Sequence, residues 1–225
     1  SGIKKLADKL PESMEGIKPV LIYPLFGVLL IGVFMFAVNP TMAAINTGIT
    51  GFLNSMGGSS KILLGCIVAG MMSIDMGGPF NKAAYVFGTA SIASGNYDVM
   101  AAVMIGGMIP PLAVALATTF FKKKFTSEER KSGVVNYIMG LCFITEGVIP
   151  FAAADPLRVI PSCVAGSAVA GGLSMLFGCT LRAPHGGIFV FPVVGNVVGY
   201  LIALAAGSLV GMLLLGVLKK DKVEE

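Results

Sequence analysis

Charged side chains are scarce in this chain. They make up 12% of its 225 residues, whereas a soluble globular domain carries about 25%. Hydrophobic residues supply 55% of the sequence, so an ordinary soluble protein is excluded. In a chain of this composition the net charge of +4 does not indicate nucleic-acid binding, and we expect no nucleic-acid partner.

Motifs of common enzymes and metal sites are also missing. The sequence has no G-x-x-x-x-G-K-[ST] loop for ATP, no H-E-x-x-H pair for a metal and no G-x-S-x-G elbow. No C-x-x-C pair occurs, and the four cysteines lie in apolar segments, which predicts buried thiols: Cys66, Cys142, Cys163 and Cys179. We therefore expect no metal, no disulfide and no cofactor.

What the sequence does contain is long hydrophobic runs without charge. Each run exceeds the roughly 18–20 apolar residues that cross a bilayer: Pro19–Ser60, Val99–Phe121, Val159–Leu181 and Gly186–Leu218. These runs predict an all-α polytopic membrane protein. Basic residues collect in short clusters between and beside the runs, and such clusters stay on the cytoplasmic side of a membrane. We therefore predict that both termini and the central loop are cytoplasmic.

The order of these runs predicts the domain organisation. Residues 3–18 place Ile3, Leu6 and Leu10 on one helical face with charge elsewhere, which is typical of a helix lying on the membrane surface. We predict an interfacial amphipathic helix over 1–18, a first membrane bundle over 19–121, a cytoplasmic loop over 122–132, a second membrane bundle over 133–218 and a cytoplasmic tail over 219–225.

Three apolar segments inside these bundles are too short to cross a bilayer, and each runs into a stretch broken by glycine and proline. These stretches are the broken segment Asp75–Gly88 in the first bundle and the hairpins that carry Glu146 and His185 in the second. Irregular backbone at membrane depth is tolerated only where protein buries it or where it lines a watery cavity. Interrupted half-helices are typical of a transporter's binding site, so we predict re-entrant hairpins around a polar chamber.

Six charged residues and one histidine fall at candidate membrane depth: Asp75, Lys82, Glu146, Asp155, Arg158, Arg182 and His185. Each charge costs about 2.5–3.5 kcal/mol at the centre of a membrane helix, so each should pair or serve a function. Asp155 and Arg158 have i,i+3 spacing and predict a local structural pair. Asp75 and Lys82 form either a structural salt bridge across the Gly-Gly-Pro turn or part of a site. Arg182 is predicted to be structural.

Glu146 differs from these residues because no basic residue lies within one turn of it. Thr145 and Gly147 leave its carboxylate open, and a lone carboxylate can accept hydrogen bonds from two ligand hydroxyls, as in sugar sites. His185, the only histidine, follows Pro184 in an interrupted segment, which favours a functional role. Two asparagines could add amide contacts on weaker grounds: Asn81 and Asn196.

At these residues the chain resembles a known family. "ITEGVIPFAAADPLRVIPS" (Ile144–Ser162) resembles the signature of the membrane-embedded sugar permease, subunit IIC, of fructose-type phosphoenolpyruvate-dependent phosphotransferase systems in bacteria. "DMGGPFNKAAYVFG" (Asp75–Gly88) and "APHGGIFVF" (Ala183–Phe191) are similar to two further family motifs, in the same order. "EGIKPVLIYPL" (Glu15–Leu25) looks like the start of the family's middle helices. The resemblance covers essentially the whole chain.

The resemblance implies a homodimeric permease in the bacterial plasma (inner) membrane. It implies uptake of fructose or a related hexose or hexitol, with phosphorylation by the phosphocysteine of a partner IIB domain that IIA, HPr and enzyme I supply. The chain would then not be a complete enzyme alone. Because family members usually carry transmembrane helices before the segment that matches Gly16–Leu25, we expect this chain to lack the N-terminal helices of a full IIC domain.

The resemblance also implies the site residues. In related sugar permeases a glutamate of the "ITE" type and a histidine contact the sugar hydroxyls, which assigns substrate binding to Glu146 and His185. A carboxylate near the attacking hydroxyl can orient it or take its proton, so we also expect a catalytic role for Glu146. We expect Asn81, Lys82 and Thr145 to line the same site. Two alternatives remain open at this point. One is an ion- or proton-coupled secondary transporter with Glu146 and Asp155 as the relay, and the other is an intramembrane enzyme that uses His185 with Asp155.

Overall fold

The computed structural model of the chain describes residues 18, 21, 23–37, 40 and 58–222. The interfacial helix predicted for residues 1–18 lies, except for Lys18, outside the described residues. The chain divides into two compact units, Ser1–Gly51 and Phe52–Glu225. The first unit contains one described apolar helix, α1 (Tyr23–Ala37), within the first predicted span.

The second unit is built almost entirely from helices. They are α2 (Gly58–Ile74), α3 (Pro79–Ala93), α4 (Asp98–Phe120), α5 (Ser127–Leu141), α6 (Ile149–Ala154), α7 (Pro156–Leu176) and α8 (Val197–Leu218). Short 3-10 helices lie at Lys122–Lys124, Thr145–Val148 and Gly187–Val193. Two strands of two residues, β1 (Thr180–Leu181) and β2 (Val194–Gly195), pair antiparallel, with Thr180 opposite Gly195.

Helix α4 forms the centre of this unit. It is buried along nearly its whole length and packs against α2, α3, α5, α7 and α8, and it continues through Pro110 and Pro111. Among the described residues, α4, α7 and α8 are long and apolar enough to cross a membrane, with 23, 21 and 22 residues. The prediction of an all-α polytopic membrane protein is confirmed.

Small residues let the helices around α4 approach closely. A Cβ atom on Gly65 of α2 would lie 2.6 Å from the backbone oxygen of Gly171 on α7, so only glycine fits at this crossing. Nearby, the Ser73 and Ser167 hydroxyls are 2.5 Å apart and the Ser167 hydroxyl donates to the backbone oxygen of Gly106 at 2.9 Å. These buried bonds join α2, α7 and α4, as expected where helices associate within lipid.

Helices α2 and α3 form a hairpin with its open side at the start of α4. The Lys61 ammonium in the first turn of α2 lies 3.4 Å from the Asp98 carboxylate. Helix α3 ends at Ala93, and a short turn leads from there to Asp98. The two ends of this hairpin therefore lie at one end of the bundle, which we call the Asp98 end.

Helices α5 and α6 form a second hairpin, which opens in the opposite direction. Phe125, just before α5, and Phe151 on α6 have ring centroids 6.3 Å apart. Lys219, which follows α8, has its ammonium 4.9 Å from the centre of the Phe125 ring. This hairpin therefore opens at the end of the bundle where α4 and α8 finish, which we call the Phe125 end.

The connection predicted over residues 122–132 is shorter in the structure, because α5 begins at Ser127. The Thr126 hydroxyl accepts a hydrogen bond from the Glu129 N–H at 3.2 Å, and the Glu129 carboxylate accepts one from the Thr126 N–H at 2.8 Å. This reciprocal pair is a capping box. The T-x-x-E spacing at Thr126 is typical of a capping box, whereas the many charged residues around it are typical of a loop.

Candidate functional site

The tips of the two opposed hairpins meet inside the bundle. Both tips contain a non-glycine residue with positive φ, Met76 at 48° and Phe143 at 63°, a conformation that costs free energy and is concentrated at functional sites. Met76 from the first tip and Val148 from the second belong to one buried apolar cluster. The broken segments that carry Asp75 and Glu146 therefore contribute to the same part of the core.

At the first tip, Asp75 holds the start of α3. Its carboxylate accepts hydrogen bonds from the backbone N–H groups of Phe80 at 2.6 Å and Asn81 at 3.0 Å, which suits a negative charge at a helix N-terminus. The Lys82 ammonium donates to the backbone oxygen of Gly77 at 2.6 Å. Among the described residues Asp75 and Lys82 form no ion pair, so the salt bridge considered from the sequence is replaced by a helix cap.

Asn81, Thr145 and Glu146 come together where the tips touch. The Asn81 amide donates to the backbone oxygen of Met72 at 2.7 Å and lies 3.4 Å from the Thr145 hydroxyl. The Glu146 side chain lies over Gly77, where a Cβ atom would be 2.7 Å from Glu146 Oε1. Glu146 is exposed, and no described residue donates a hydrogen bond to it, so its carboxylate is available to a ligand.

A third segment brings His185 to the same region. The His185 ring centroid lies 5.2 Å from that of Phe143 and 6.5 Å from that of Tyr85, and the Tyr85 and Phe143 centroids are 6.3 Å apart. Sequence reasoning missed both aromatic residues. Tyr85 follows Asn81 by one helical turn and so shares its face of α3, which is a signal that could have identified it.

Asp155 and Arg158 lie elsewhere, at the Phe125 end. Arg158 Nη1 is 3.0 Å from Asp155 Oδ1, at the spacing that predicted the pair. The ammonium of Lys219 is 3.6 Å from Asp155 Oδ2, and the Lys219 side chain is only 1% exposed. The position of Lys219 after the last apolar run predicts a cytoplasmic tail, and the sequence carries no local signal for its long-range pair with Asp155.

Arg182 and Asn196 also lie apart from the Glu146 region. The Arg182 guanidinium stacks over the Tyr97 ring, 4.8 Å from its centroid, at the Asp98 end. Asn196 caps α8, since its Oδ1 accepts from the Gly199 N–H at 3.1 Å and its Nδ2 donates to the Phe177 oxygen at 2.7 Å. The suggestion of a ligand contact for Asn196 is therefore replaced by a structural role.

The chemistry of the convergent groups suits a neutral ligand with many hydroxyls. A carboxylate, an amide, a hydroxyl, an imidazole and an ammonium supply acceptors and donors, while Tyr85 and Phe143 supply apolar ring faces. All four cysteines are free thiols. Within the described part of the chain, no group of three His, Cys, Asp or Glu side chains could hold a metal ion.

Comparison with known proteins identifies relatives over nearly the whole chain. The family model "Phosphotransferase system, EIIC" matches residues 3–166. The chain is 53% identical to the fructose permease IIC component of Bacillus amyloliquefaciens, over 99% of this chain and 73% of that protein. It is 52% identical to the PTS system fructose-specific EIIABC component of Bacillus subtilis (strain 168), over 99% of this chain and 35% of that protein.

A further relative is the PTS system fructose-specific EIIB'BC component of Escherichia coli (strain K12). The chain is 47% identical to it, over 96% of this chain and 39% of that protein. The chain thus spans little more than a third of the EIIABC and EIIB'BC relatives and about three quarters of the IIC relative. No solved structure matches.

Proposed function

The chain belongs to the phosphotransferase system EIIC family, and from this premise we propose that it is a sugar permease subunit that carries fructose or a related hexose or hexitol across the bacterial plasma membrane. It is membrane-embedded and multi-pass. The names of the relatives, which specify fructose, support the choice of sugar. The observation that carries the proposal is the meeting of Asn81, Thr145 and Glu146 at the tips of two opposed hairpins.

We assign each side chain of this site a part in sugar binding. The Glu146 carboxylate accepts hydrogen bonds from two sugar hydroxyls, and such bonds to a charged group are worth about 1.5–3 kcal/mol each. The Asn81 amide oxygen and the Thr145 hydroxyl take further hydroxyls. Lys82 and His185 donate from the rim. The Tyr85 and Phe143 rings cover the apolar C–H face of the sugar, because an aromatic face packs well against such groups.

The phosphoryl step needs a second protein. In the proposed reaction the sugar hydroxyl attacks the phosphorus of a IIB phosphocysteine, the P–S bond breaks as the P–O bond forms, and the hydroxyl proton passes to Glu146. Phosphoryl transfer depends mainly on positioning and charge stabilisation, and a well-placed general base adds about 10²–10⁴-fold. IIA and HPr act upstream. The EIIABC and EIIB'BC names of the relatives support partnership with IIB and IIA components.

Orientation and assembly are part of the same proposal. The lysines of the 122–124 turn and of the segment after α8 share the Phe125 end, which supports a cytoplasmic position for that end. The basic residues Lys4, Lys5 and Lys9 near the N-terminus support the same side for that terminus. A homodimer completes the proposed assembly. No observation favours the proton-coupled carrier or the intramembrane enzyme, because Asp155 is paired with Arg158 and Lys219 and contacts neither Glu146 nor His185.

The test replaces the Glu146 carboxylate in the full chain, reconstituted in vesicles with a phosphorylated IIB domain. We expect Glu146→Gln to weaken fructose binding about 10- to 100-fold and to lower formation of fructose phosphate further, as measured with labelled fructose. Glu128→Gln, an exposed glutamate at the Phe125 end, should behave as wild type. Wild-type rates for Glu146→Gln would remove Glu146 from the site. Accumulation of unmodified sugar without IIB would instead support a carrier.

A further inference from the structure

Helix α5 contains a buried amide beside the 3-10 helix Thr145–Val148, which is the Glu146 turn. The amide belongs to Asn136, which is 1% exposed. Among the described residues neither its Oδ1 nor its Nδ2 has a hydrogen-bond partner. Most buried side-chain amides are hydrogen-bonded, so an unpaired one needs a physical explanation. The roles proposed for the sugar-binding residues do not use this amide.

The packing of α5 against α4 does not require an amide. The buried residues of α5 are Gly133, Asn136 and Gly140, and their spacings of three and four place them on one face. A Cβ atom on Gly133 would overlap the Thr118 side chain of α4, and one on Gly140 would lie 2.6 Å from Leu112 Cγ. The two glycines therefore allow the close approach, and an apolar side chain of the same shape as Asn136 would fill the space between them without burying unpaired polar atoms.

The amide lies against the backbone of the Glu146 turn. A Cβ atom on Gly147, the residue after Glu146, would overlap both Asn136 Oδ1 and Met139 Sδ. No described side chain caps the start of this 3-10 helix. An amide can accept a hydrogen bond from a backbone N–H and donate one to a backbone carbonyl oxygen. Asn136 is therefore within a small movement of backbone groups that could pair with it.

The Glu146 turn has features of a segment that changes conformation. A 3-10 helix has poorer hydrogen-bond geometry than an α-helix and often marks a functional hinge. Phe143, two residues before the turn, has a φ of 63°, which costs free energy. The Glu146 side chain is exposed. A sugar that binds its carboxylate therefore acts on a segment whose backbone can shift at low cost.

We propose that Asn136 is a positioning residue of the sugar site. When sugar is bound, its amide forms hydrogen bonds with the backbone of the Glu146 turn and so holds the Glu146 carboxylate towards the sugar hydroxyls. This role rests on the proposed sugar-permease function. The unpaired amide destabilises the sugar-free protein, and its pairing in the complex adds to the affinity, because a ligand favours a conformation by the interactions that only this conformation makes.

The test removes both polar atoms of the amide in the full chain. Asn136→Leu has nearly the same shape, and Asn136→Val is shorter and stops short of Gly147. Circular dichroism in detergent follows thermal unfolding with and without saturating fructose. Without sugar, we expect the more stable of the two variants to melt about 2–4 °C above wild type, because the buried unpaired amide is gone. The same variant should bind fructose about 10-fold more weakly and lose most of the rise in melting temperature that fructose gives the wild type.

Phosphorylation of labelled fructose by a IIB domain adds a kinetic measurement. The KM for fructose should rise about 10-fold while kcat changes by less than about threefold, because saturating sugar restores the position of Glu146. Ser208→Ala is the matched control, since it removes another buried polar atom that has no partner among the described residues, on α8. It should bind fructose as wild type does and melt no lower.

A purely structural role would move stability and sugar binding in the same direction. Both Asn136 variants melting below wild type, or the more stable one binding fructose as tightly as wild type, would therefore overturn the positioning role. Glu146→Gln, measured alongside, separates this inference from the proposed function. Weak binding by Glu146→Gln with normal binding by the Asn136 variants would overturn only the role of Asn136, whereas normal binding by all of them would overturn the sugar site as well.

Discussion

Among single residues, Asp155 forms ion pairs with two cations that differ in their exposure to water. Its carboxylate is shared between Arg158, whose side chain is 36% exposed, and Lys219, whose side chain is 1% exposed. Water reaches Arg158 but not Lys219. The Lys219 ammonium, which also has no hydrogen-bond partner among the described residues, therefore depends on Asp155 far more than Asp155 depends on Lys219.

This asymmetry predicts different costs for removing each partner. Asp155→Asn leaves a buried ammonium without a counter-charge and should destabilise the fold by about 3–5 kcal/mol. Lys219→Met leaves Asp155 paired with Arg158 and fills a similar volume, so its cost should stay below about 1.5 kcal/mol. Because the chain has no tryptophan, thermal unfolding in detergent is best followed by circular dichroism.

The double variant provides the control for this comparison. Asp155→Asn combined with Lys219→Met removes both charges and should recover most of the stability lost in Asp155→Asn alone. A Lys219→Met variant as unstable as Asp155→Asn would show that the lysine charge, through Asp155 and the Phe125 ring, stabilises the fold even when Asp155 keeps Arg158.

At the scale of one element, the first turn of α5 holds a carboxylate that responds to pH. Burial raises the pKa of Glu129, but hydrogen bonds from Lys222 and from the Thr126 N–H outweigh burial, and its pKa is lowered. A lowered pKa means that the ionised form stabilises the fold at neutral pH. This stabilisation is lost as the pH falls below about 4.3, the ordinary value for glutamate, and through the folded-state pKa.

We therefore expect the wild-type protein to lose more stability than Glu129→Gln as the pH is lowered from 6 towards 3. Melting temperatures measured by circular dichroism across this range provide the test, with Glu128→Gln as a matched control that keeps the capping box. Parallel pH profiles for wild type and Glu129→Gln would show that Glu129 does not carry this dependence.

The crossing of α2 and α7 gives a second prediction at this scale. Gly65→Ala places a methyl group 2.6 Å from the Gly171 backbone oxygen, whereas Gly70→Ala meets nothing closer than 3.6 Å. Alanine gains up to about 1 kcal/mol in helix propensity at either position. We expect Gly70→Ala to be neutral or stabilising, and Gly65→Ala to lose about 1–3 kcal/mol by overpacking.

The same pair of variants tests whether this crossing positions the first hairpin tip. A shift of α2 in Gly65→Ala would move the Asn81 amide relative to Thr145, so fructose binding should fall together with stability. Equal melting temperatures for Gly65→Ala and Gly70→Ala would show that the two helices can separate without cost.

For the whole molecule, the opposed hairpins give the bundle two chemically different ends. Lys61 and Arg182 lie at the Asp98 end with Asp98 and Tyr97, and the lysines of the 122–124 turn and of the segment after α8 lie at the Phe125 end. We predict that Ser94→Cys reacts with a membrane-impermeant maleimide added to intact cells, whereas Glu128→Cys reacts only after lysis. Wild-type protein measures the background from the four native thiols. Labelling of both positions from the same side would contradict two opposed hairpins.

The sequence alone was enough for the class of protein, the family and the positions of the chain breaks. The match over residues 3–166 confirms the family resemblance, and three described helices that are long and apolar enough to cross a membrane confirm the membrane fold. These features depend on local properties, namely apolar run length and the backbone limits of glycine and proline. Glu146 could be singled out for the same reason, because the lack of a nearby cation is visible in the sequence.

Only the tertiary structure decided which distant side chains lie close together. Asn81 meets Thr145 across 64 residues, Lys219 reaches Asp155, and Tyr85 and Phe143 surround His185, while Asp155 and Arg158 fall at the other end of their hairpin. The direction in which each hairpin opens determines which of these side chains come into contact. Helices pack closely at small-residue crossings such as Gly65 on Gly171, and neither sequence segment alone identifies the segment that it will contact.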